Sequence, residues 1–310
     1  MSPCTRRDVL RMSALAALAV PLAACQTGYS DEPDPLAPLA EQARADAAAA
    51  QALASGSGGQ AELARQVATA RTAHAQALQT EVDRLNRPKS SVQVLVPAET
   101  GMAGLKQRLA VAREQAEKAV AGLPRYRAGL VAAVAAGCAG LQQLGDVLGP
   151  GTDPGQVTPT ASPVPAEAVA PLQQALDAEH AAVWIYSLVS AFLPGNYESG
   201  INDGAAEHRR RRDACVRMLT AAGATPDGAE PAYLTPKPVT DAASAKSVVA
   251  TAEADAAMAW RGVLERTDDT ALRTVALNAL VGSSRRGTRW REAAGETPSV
   301  VALAGSTTPN

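Results

Sequence analysis

Apolar residues recur at three- and four-residue intervals through most of this 310-residue chain, and this spacing constrains the fold more than any other feature. One such stretch carries Leu63, Val67, Ala70 and Leu78, which fall on a single face of an α-helix. Aromatic residues make up only 3% of the chain, so Ala, Leu and Val must fill most of the core. That composition suits closely packed helices and predicts an all-α protein.

Stretches rich in proline and glycine divide the helical pattern into two groups of four helices. The predicted helices are 37–54, 60–86, 101–121 and 125–147 in the first group, and 167–192, 203–222, 241–266 and 269–293 in the second. Residues 149–165 contain many prolines and no periodicity, so 149–166 is predicted to be a stiff, extended linker between two domains. The best strand signal, at 91–97, is short and ends in proline.

The two halves can be aligned with each other. The sequence APLAEQARADAAAA, which begins at Ala37, aligns with APLQQALDAEHAAV, which begins at Ala170, and this places Asp46 opposite Glu179. Two histidines of the two halves then follow at nearly equal distances. We expect an internal duplication, in which 37–148 is a second, degenerate helical bundle.

The first 25 residues resemble a bacterial export signal. Arg6 and Arg7, followed by an apolar pair, resemble the twin-arginine consensus, and the apolar run at 12–22 is too short to cross a bilayer as a helix. The run ends in Leu-Ala-Ala-Cys, which resembles a lipobox with Cys25 as the acylated residue. The alternative is an ordinary cleaved signal with a chance cysteine. We predict a lipoprotein held by a diacylglyceryl anchor on the outer face of the cytoplasmic membrane, with 26–36 as its tether.

The formal net charge of −2 argues against nucleic-acid binding, which needs a strongly basic face. Cys138 and Cys215 are the cysteines that remain beyond the export signal. An oxidising compartment permits a disulfide between them. Both lie in alanine-rich helical sequence, however, where a buried free thiol is the more typical state, and we favour that interpretation.

Chemistry-bearing residues concentrate in the second group of helices. Glu179 and Tyr186 are seven residues apart and share one helix face, and Glu253 lies on the inward face of a later helix. Together with His208, the two glutamates are predicted to point at a common centre. A mixed oxygen and nitrogen ligand set of this kind suits Fe or Mn.

The pattern departs from that of a di-iron site. Di-iron bundles carry Glu-x-x-His on two helices, which places both ligands on one face. Here the residue three before His208 is Ala205, and Glu207 is adjacent to the histidine and points about 100° away. The last predicted helix has no histidine. A site with two metal ions is therefore not expected.

Cations are predicted to face the centre in place of the missing ligands. The candidates are Arg211, Arg212, Arg285 and Arg286. Three interpretations remain open: a salt-bridged relic of a metal site in which arginines neutralise Glu179 and Glu253, a single weak Fe or Mn site, and a pocket for a small anion or acidic ligand.

The other histidines and the tryptophans are expected to have structural roles. His180 is predicted to lie at the surface and His74 to be a hydrogen-bonded core histidine, and Trp260 and Trp290 are predicted to pack in the core. No serine or cysteine is paired with a histidine in a pattern typical of a nucleophile and its base. We therefore predict a non-catalytic protein.

The sequence from Leu172 onward, together with the closing stretch RRGTRWREAAGETPSVVALAG, resembles the ferritin-like domain of actinobacterial lipoproteins, a domain of unknown function. The resemblance covers about 166–305 and implies an antiparallel four-helix bundle of the ferritin type at 167–305. It brings no established activity or ligand set. The expected function is that of an envelope scaffold or binding module, with a partner protein or a second copy of the chain. The alternative is an Fe- or Mn-binding or redox protein.

Overall fold

The structure, a computed structural model, describes residues 32–85, 87 and 101–306. Arg6, Arg7, Cys25, most of the tether and the strand signal at 91–97 lie outside the described residues. The described chain is helical and forms no strand, which confirms the all-α prediction. Its helices are α1 (Ala37–Ala54), α2 (Gly59–Leu85), α3 (Gly101–Val120), α4 (Arg125–Leu141), α5 (Ala166–Val189), α6 (Glu198–Ala221), α7 (Ala242–Leu264) and α8 (Thr270–Ala293).

The two groups of helices have the same arrangement. In the first bundle α1 packs on α2 and α3, and α3 packs on α4; in the second, α5 packs on α6 and α7, and α7 packs on α8. Short connections join the helices of each antiparallel pair. The connection from α6 to α7 is long and irregular. It ends in the predicted N-cap, where Asp241 and Ser244 exchange the hydrogen bonds of a capping box.

The largest errors in the predicted helix limits are at two positions. The helix predicted at 125–147 ends at Leu141, because the following backbone bonds tighten to three-residue spacing and lead into a short 3₁₀ turn at Asp146–Leu148. The helix predicted to begin at residue 203 begins at Glu198. Its first turn is held by Tyr197, whose ring stacks on Trp290 with 5.8 Å between the ring centroids.

Helix α4 is buried on nearly all sides and joins the two bundles. It packs on α3 within the first bundle and on α8 of the second. Its alanine and glycine residues allow this close approach, and a single hydrophobic cluster runs from Leu78 and Val131 in the first bundle to Leu172 and Leu272 in the second. The two bundles therefore share one core across the α4–α8 contact.

The segments outside the helices are also packed. The predicted linker has no regular secondary structure, yet Val157 and Val164 are buried in the shared core. After α8, residues 296–306 form an irregular segment, here named the C-terminal strap, whose Val300, Ala302 and Ala304 are buried. None of the described helices is both long and apolar enough to span a membrane.

Candidate functional site

Three helices of the second bundle bring together the three candidate ligands. Glu179 of α5, His208 of α6 and Glu253 of α7 are each 0% exposed. His208 lies between the two glutamates: its Nδ1 is 2.5 Å from Glu179 Oε2 and its Nε2 is 3.2 Å from Glu253 Oε1. The residues predicted to share a centre therefore do share one, which we name the ionic centre.

Both ring nitrogens of His208 face carboxylate oxygens. An ionised carboxylate can only accept hydrogen bonds, so each nitrogen must donate, and that requires the protonated imidazolium form. Burial favours the neutral ring and lowers the pKa of His208, but the charges of Glu179 and Glu253 outweigh it and the pKa is raised above its usual value. His208 is therefore a cation of the ionic centre.

Glu253 accepts the largest number of hydrogen bonds in the centre. The Tyr186 hydroxyl donates to Oε1 at 2.7 Å, and Arg286 donates from Nε to Oε1 at 2.6 Å and from Nη2 to Oε2 at 3.2 Å. Burial alone raises the pKa of Glu253, but Arg286 and His208 together hold it well below its usual value. Burial and the adjacent Glu253 raise the pKa of Tyr186 well above its usual value. Glu253 is thus an ionised carboxylate with a full set of donors.

Glu179 is surrounded by a different set of donors. Trp260 Nε1 donates to Oε1 at 2.6 Å, and Nη1 of Arg211 lies 3.7 Å from the same oxygen. Arg211 also donates from Nε to Glu207 Oε1 at 3.0 Å and from Nη1 to the Ser283 hydroxyl at 2.8 Å. Arg211 therefore connects the buried carboxylate to the partly exposed one.

Every anion of the ionic centre is paired with a cation. Glu179 and Glu253 pair with His208, Arg211 and Arg286, and Glu207 at the rim pairs with Arg211 and with the exposed Arg210. Both oxygens of each buried carboxylate face donors of the chain itself. Buried charges that are paired and hydrogen-bonded in this way avoid the large cost of an isolated buried ion.

Two of the four predicted arginines lie elsewhere, and their assignment to the centre was wrong. Arg212 turns outward and donates to its neighbour Asp213 at 2.8 Å. Arg285 donates to the linker, at 2.7 Å to both the Thr152 carbonyl and Asp153 Oδ1. In each adjacent pair, the helix rotation of about 100° per residue places one guanidinium toward the centre and the other away from it.

Some members of the centre were not predicted as such. Trp260 was expected to pack only, yet its indole N–H is a donor to Glu179. Glu207 was expected to point aside, and it lies at the rim with its side chain 15% exposed, where it pairs with Arg211. Ser283 had no assigned role. The seven-residue spacing that separates Trp260 from Glu253 was the one available signal, since it places both on one helix face.

The packing around the centre is tight at two glycines. A Cβ at Gly204 would lie 2.3 Å from the Tyr186 ring, and a Cβ at Gly282 would lie 2.4 Å from Nη2 of Arg211. Contacts below 3.0 Å force a neighbour to move. The two glycines therefore leave the space that the Tyr186 ring and the Arg211 guanidinium occupy beside the carboxylates.

The first bundle holds a related cluster with a different charge state. Asp46 and His74 are buried, and Arg71 donates to both: 2.9 Å to Asp46 Oδ2 and 2.9 Å to His74 Nδ1. Because arginine can only donate, His74 Nδ1 is an acceptor, and its Nε2 donates to the Ala302 carbonyl at 2.6 Å. Burial and Arg71 lower the pKa of His74 to about 3. His74 is a neutral, hydrogen-bonded core histidine, as predicted.

The remaining expected residues lie away from these clusters. His180 is partly exposed, and its Nε2 is 3.3 Å from the Asp227 carbonyl. Cys138 and Cys215 are free and buried, which confirms the prediction of buried thiols. Within residues 32–85, 87 and 101–306, no group of three or more His, Cys, Asp or Glu side chains is arranged to hold a metal ion.

Comparison with known proteins assigns the second bundle to a family. Residues 171–308 match the family model described as "Domain of unknown function (DUF4439)". The chain contains a DUF4439 domain. It is similar to a conserved hypothetical protein, rv2844, from Mycobacterium tuberculosis, whose crystal structure matches at 36% identity over 42% of this chain and 98% of that chain, with a TM-score of 0.41. No curated protein matches. All the residues of the ionic centre lie within the DUF4439 match, and the first bundle lies before it.

Proposed function

We propose that this protein is an exported, membrane-anchored lipoprotein, and that its DUF4439 domain is a non-catalytic envelope scaffold or binding module of the ferritin-like type. The ionic centre is the salt-bridged relic of a metal site. The ferritin-like assignment is supported by the four antiparallel helices, the long connection between the second and third of them, and the inward glutamate and histidine residues.

The observation that carries the proposal is the pairing of Glu253 with Arg286. A metal ion needs lone pairs from the histidine nitrogen and from the carboxylate oxygens. At this centre the histidine nitrogens hold protons, and Arg286 donates to both oxygens of Glu253. A divalent cation would have to displace Arg286 and deprotonate His208 at the same time. The donor set therefore does not fit a resident metal ion.

Single-metal binding is the second candidate, because one histidine and two glutamates do converge. Elemental analysis distinguishes the scaffold proposal from single-metal binding. The protein is purified from a host that exports it. We expect Fe and Mn well below one ion per chain in the parent protein and in the Glu179→Ala and His208→Ala variants. A ratio near one in the parent that is lost in both variants contradicts the scaffold proposal and establishes the metalloprotein.

Membrane anchoring is tested separately at Cys25. In a bacterial host fed with labelled fatty acid, the parent protein should incorporate the label and partition with detergent, and Cys25→Ser should do neither. Replacing Arg6 and Arg7 with lysine should leave unprocessed protein in the cytoplasm. Label in the Cys25→Ser variant, or export that ignores the arginine pair, contradicts the anchoring proposal without affecting the argument on the ionic centre.

A further inference from the structure

We propose that the C-terminal strap is a lid over the Glu253 carboxylate, and that the neutral His74 of the first bundle is its latch. The strap and His74 have no part in the proposed scaffold function. It holds whether or not Cys25 is acylated and whether or not the ionic centre once held a metal.

The strap covers a small cavity beside the ionic centre. The cavity has a volume of about 30 Å³, and its wall includes Glu253, Ser283 and Thr288 from the second bundle and Ala304 and Gly305 from the strap. A space of that size holds one or two water molecules when polar groups line it. The Glu253 side chain is fully buried. The strap forms one wall of the space and the exposed Ala254 of α7 also lines it, so lifting the strap would widen the opening to solvent.

The strap is attached at its base to the second bundle. Arg291, in the last turn of α8, pairs with Glu296 at 3.0 Å and donates to the Pro298 carbonyl at 2.9 Å. The Ser247 hydroxyl of α7 donates to Glu296 at 2.5 Å. These contacts hold the first residues of the strap and leave its distal part, at 300–306, to be held by other groups.

The distal part of the strap is held by the first bundle. His74 Nε2 donates to the Ala302 carbonyl at 2.6 Å, which gives this buried backbone oxygen a partner. Gly137 makes that approach possible, because a Cβ there would lie 2.0 Å from the same oxygen. At Gly140 a Cβ would lie 3.3 Å from Val300. The groove of the first bundle thus fits an extended segment with small side chains.

The latch and the lid lie on different bundles, so the first bundle controls access to the centre of the second. Arg71 selects the tautomer of His74: because its guanidinium donates to Nδ1, the proton of the neutral ring lies on Nε2, which donates to the strap. The buried polar cluster of the first bundle therefore has a specific role, which is to hold the Ala302 carbonyl and close the lid over Glu253.

Thiol labelling in the full chain tests the lid. Ala257 lines the cavity and is 3% exposed, so a cysteine placed there by Ala257→Cys is shielded only while the strap is closed. Two changes should lift the strap from opposite sides: Gly137→Ala, which removes the space for the Ala302 carbonyl, and Ala304→Glu, which places a carboxylate over Glu253. Either change should accelerate maleimide labelling at position 257, measured by peptide mass, by about tenfold or more.

Two controls make the result specific. Gly262→Ala has no neighbour within 4 Å of the new Cβ and should leave labelling at position 257 unchanged. Ala254→Cys places a thiol at an exposed position of the same helix and should be labelled fast without any change in the strap. Labelling at position 257 in the chain with an unaltered strap at the rate of position 254 would overturn the proposal. Unchanged labelling in a folded strap variant would also overturn it.

Discussion

Replacing Arg286 with glutamine tests whether arginine balances the buried acid of the second bundle. Arg286 is 17% exposed and donates two hydrogen bonds to Glu253, which is fully buried. Removing one partner of a buried ion pair typically costs about 3–5 kcal/mol, because the other charge is left without compensation. Tyr186 and His208 still donate to Glu253 after the change. We therefore expect Arg286→Gln to lower the free energy of unfolding by roughly 3 kcal/mol.

A double-mutant cycle identifies the source of the loss. Glu253→Gln, introduced into the Arg286→Gln chain, removes the uncompensated charge and should recover much of the stability, with a coupling energy of about 2–3 kcal/mol. The assay is urea unfolding followed by circular dichroism, in which the m-value checks that the folded state stays compact. Arg212→Gln is the matched control, because Arg212 pairs at the surface with Asp213, and it should change stability by less than about 0.5 kcal/mol.

A small loss of unfolding free energy in Arg286→Gln would contradict the role of Arg286. If Arg286→Gln costs less than about 1 kcal/mol, the pair behaves as a surface ion pair, and arginine does not compensate the carboxylate. A coupling energy near zero has the same meaning even if the single variant is unstable, because the loss then arises from packing. Either result requires a different partner for Glu253.

Three further predictions follow from the buried groups. The pKa of His208 is raised in the folded state, so the stability that His208 contributes is complete below about pH 6.5 and is lost as pH rises through the folded-state pKa. The pKa of His74 is lowered to about 3, so the stability that His74 contributes is present above about pH 6.5 and is lost as pH falls toward 3. The difference in unfolding free energy between the parent and His208→Gln should fall as pH rises, and the difference between the parent and His74→Gln should fall as pH drops. Urea unfolding across pH measures both differences, and parallel profiles contradict the assigned charge states. Gly204→Ala should cost about 1–3 kcal/mol by thermal or urea unfolding because its Cβ meets a buried ring, whereas Gly262→Ala, with open space, should be neutral or stabilising by up to about 1 kcal/mol. Burial raises the pKa of Cys215 well above its usual value, so its thiol should be labelled only as fast as the chain unfolds, and rapid labelling of the native protein contradicts its placement.

Helical periodicity was sufficient to predict the helices, because it records which face of each helix is buried. It could not predict that the two bundles share a core. Helix α4 carries a nearly uninterrupted run of small apolar residues, and a helix without a polar face is buried on all sides. That signal was present in the sequence, but the identity of the second neighbour, α8, depends on tertiary packing.

The ionic centre was predictable in its two buried glutamates and its histidine, and less so in Glu207 and the arginines. Glu179, His208 and Glu253 could be brought together from helix faces alone, since each lies on an inward stripe. Adjacent arginines differ by about 100° of helix rotation, and the sequence does not fix which of each pair faces inward. The bond from His74 to the Ala302 carbonyl joins residues far apart in the chain. No local pattern encodes a contact of that kind.

The protonation state of His208 tests the central claim most directly, because a bound metal and a pair of carboxylates require different forms of the ring. Nitrogen-15 NMR of the histidine side chains at neutral pH reports each ring nitrogen separately, and His208→Gln identifies the signal. We predict that both nitrogens of His208 carry protons, as imidazolium between Glu179 and Glu253 requires. A ring with one nitrogen unprotonated or bound to a metal would contradict the account.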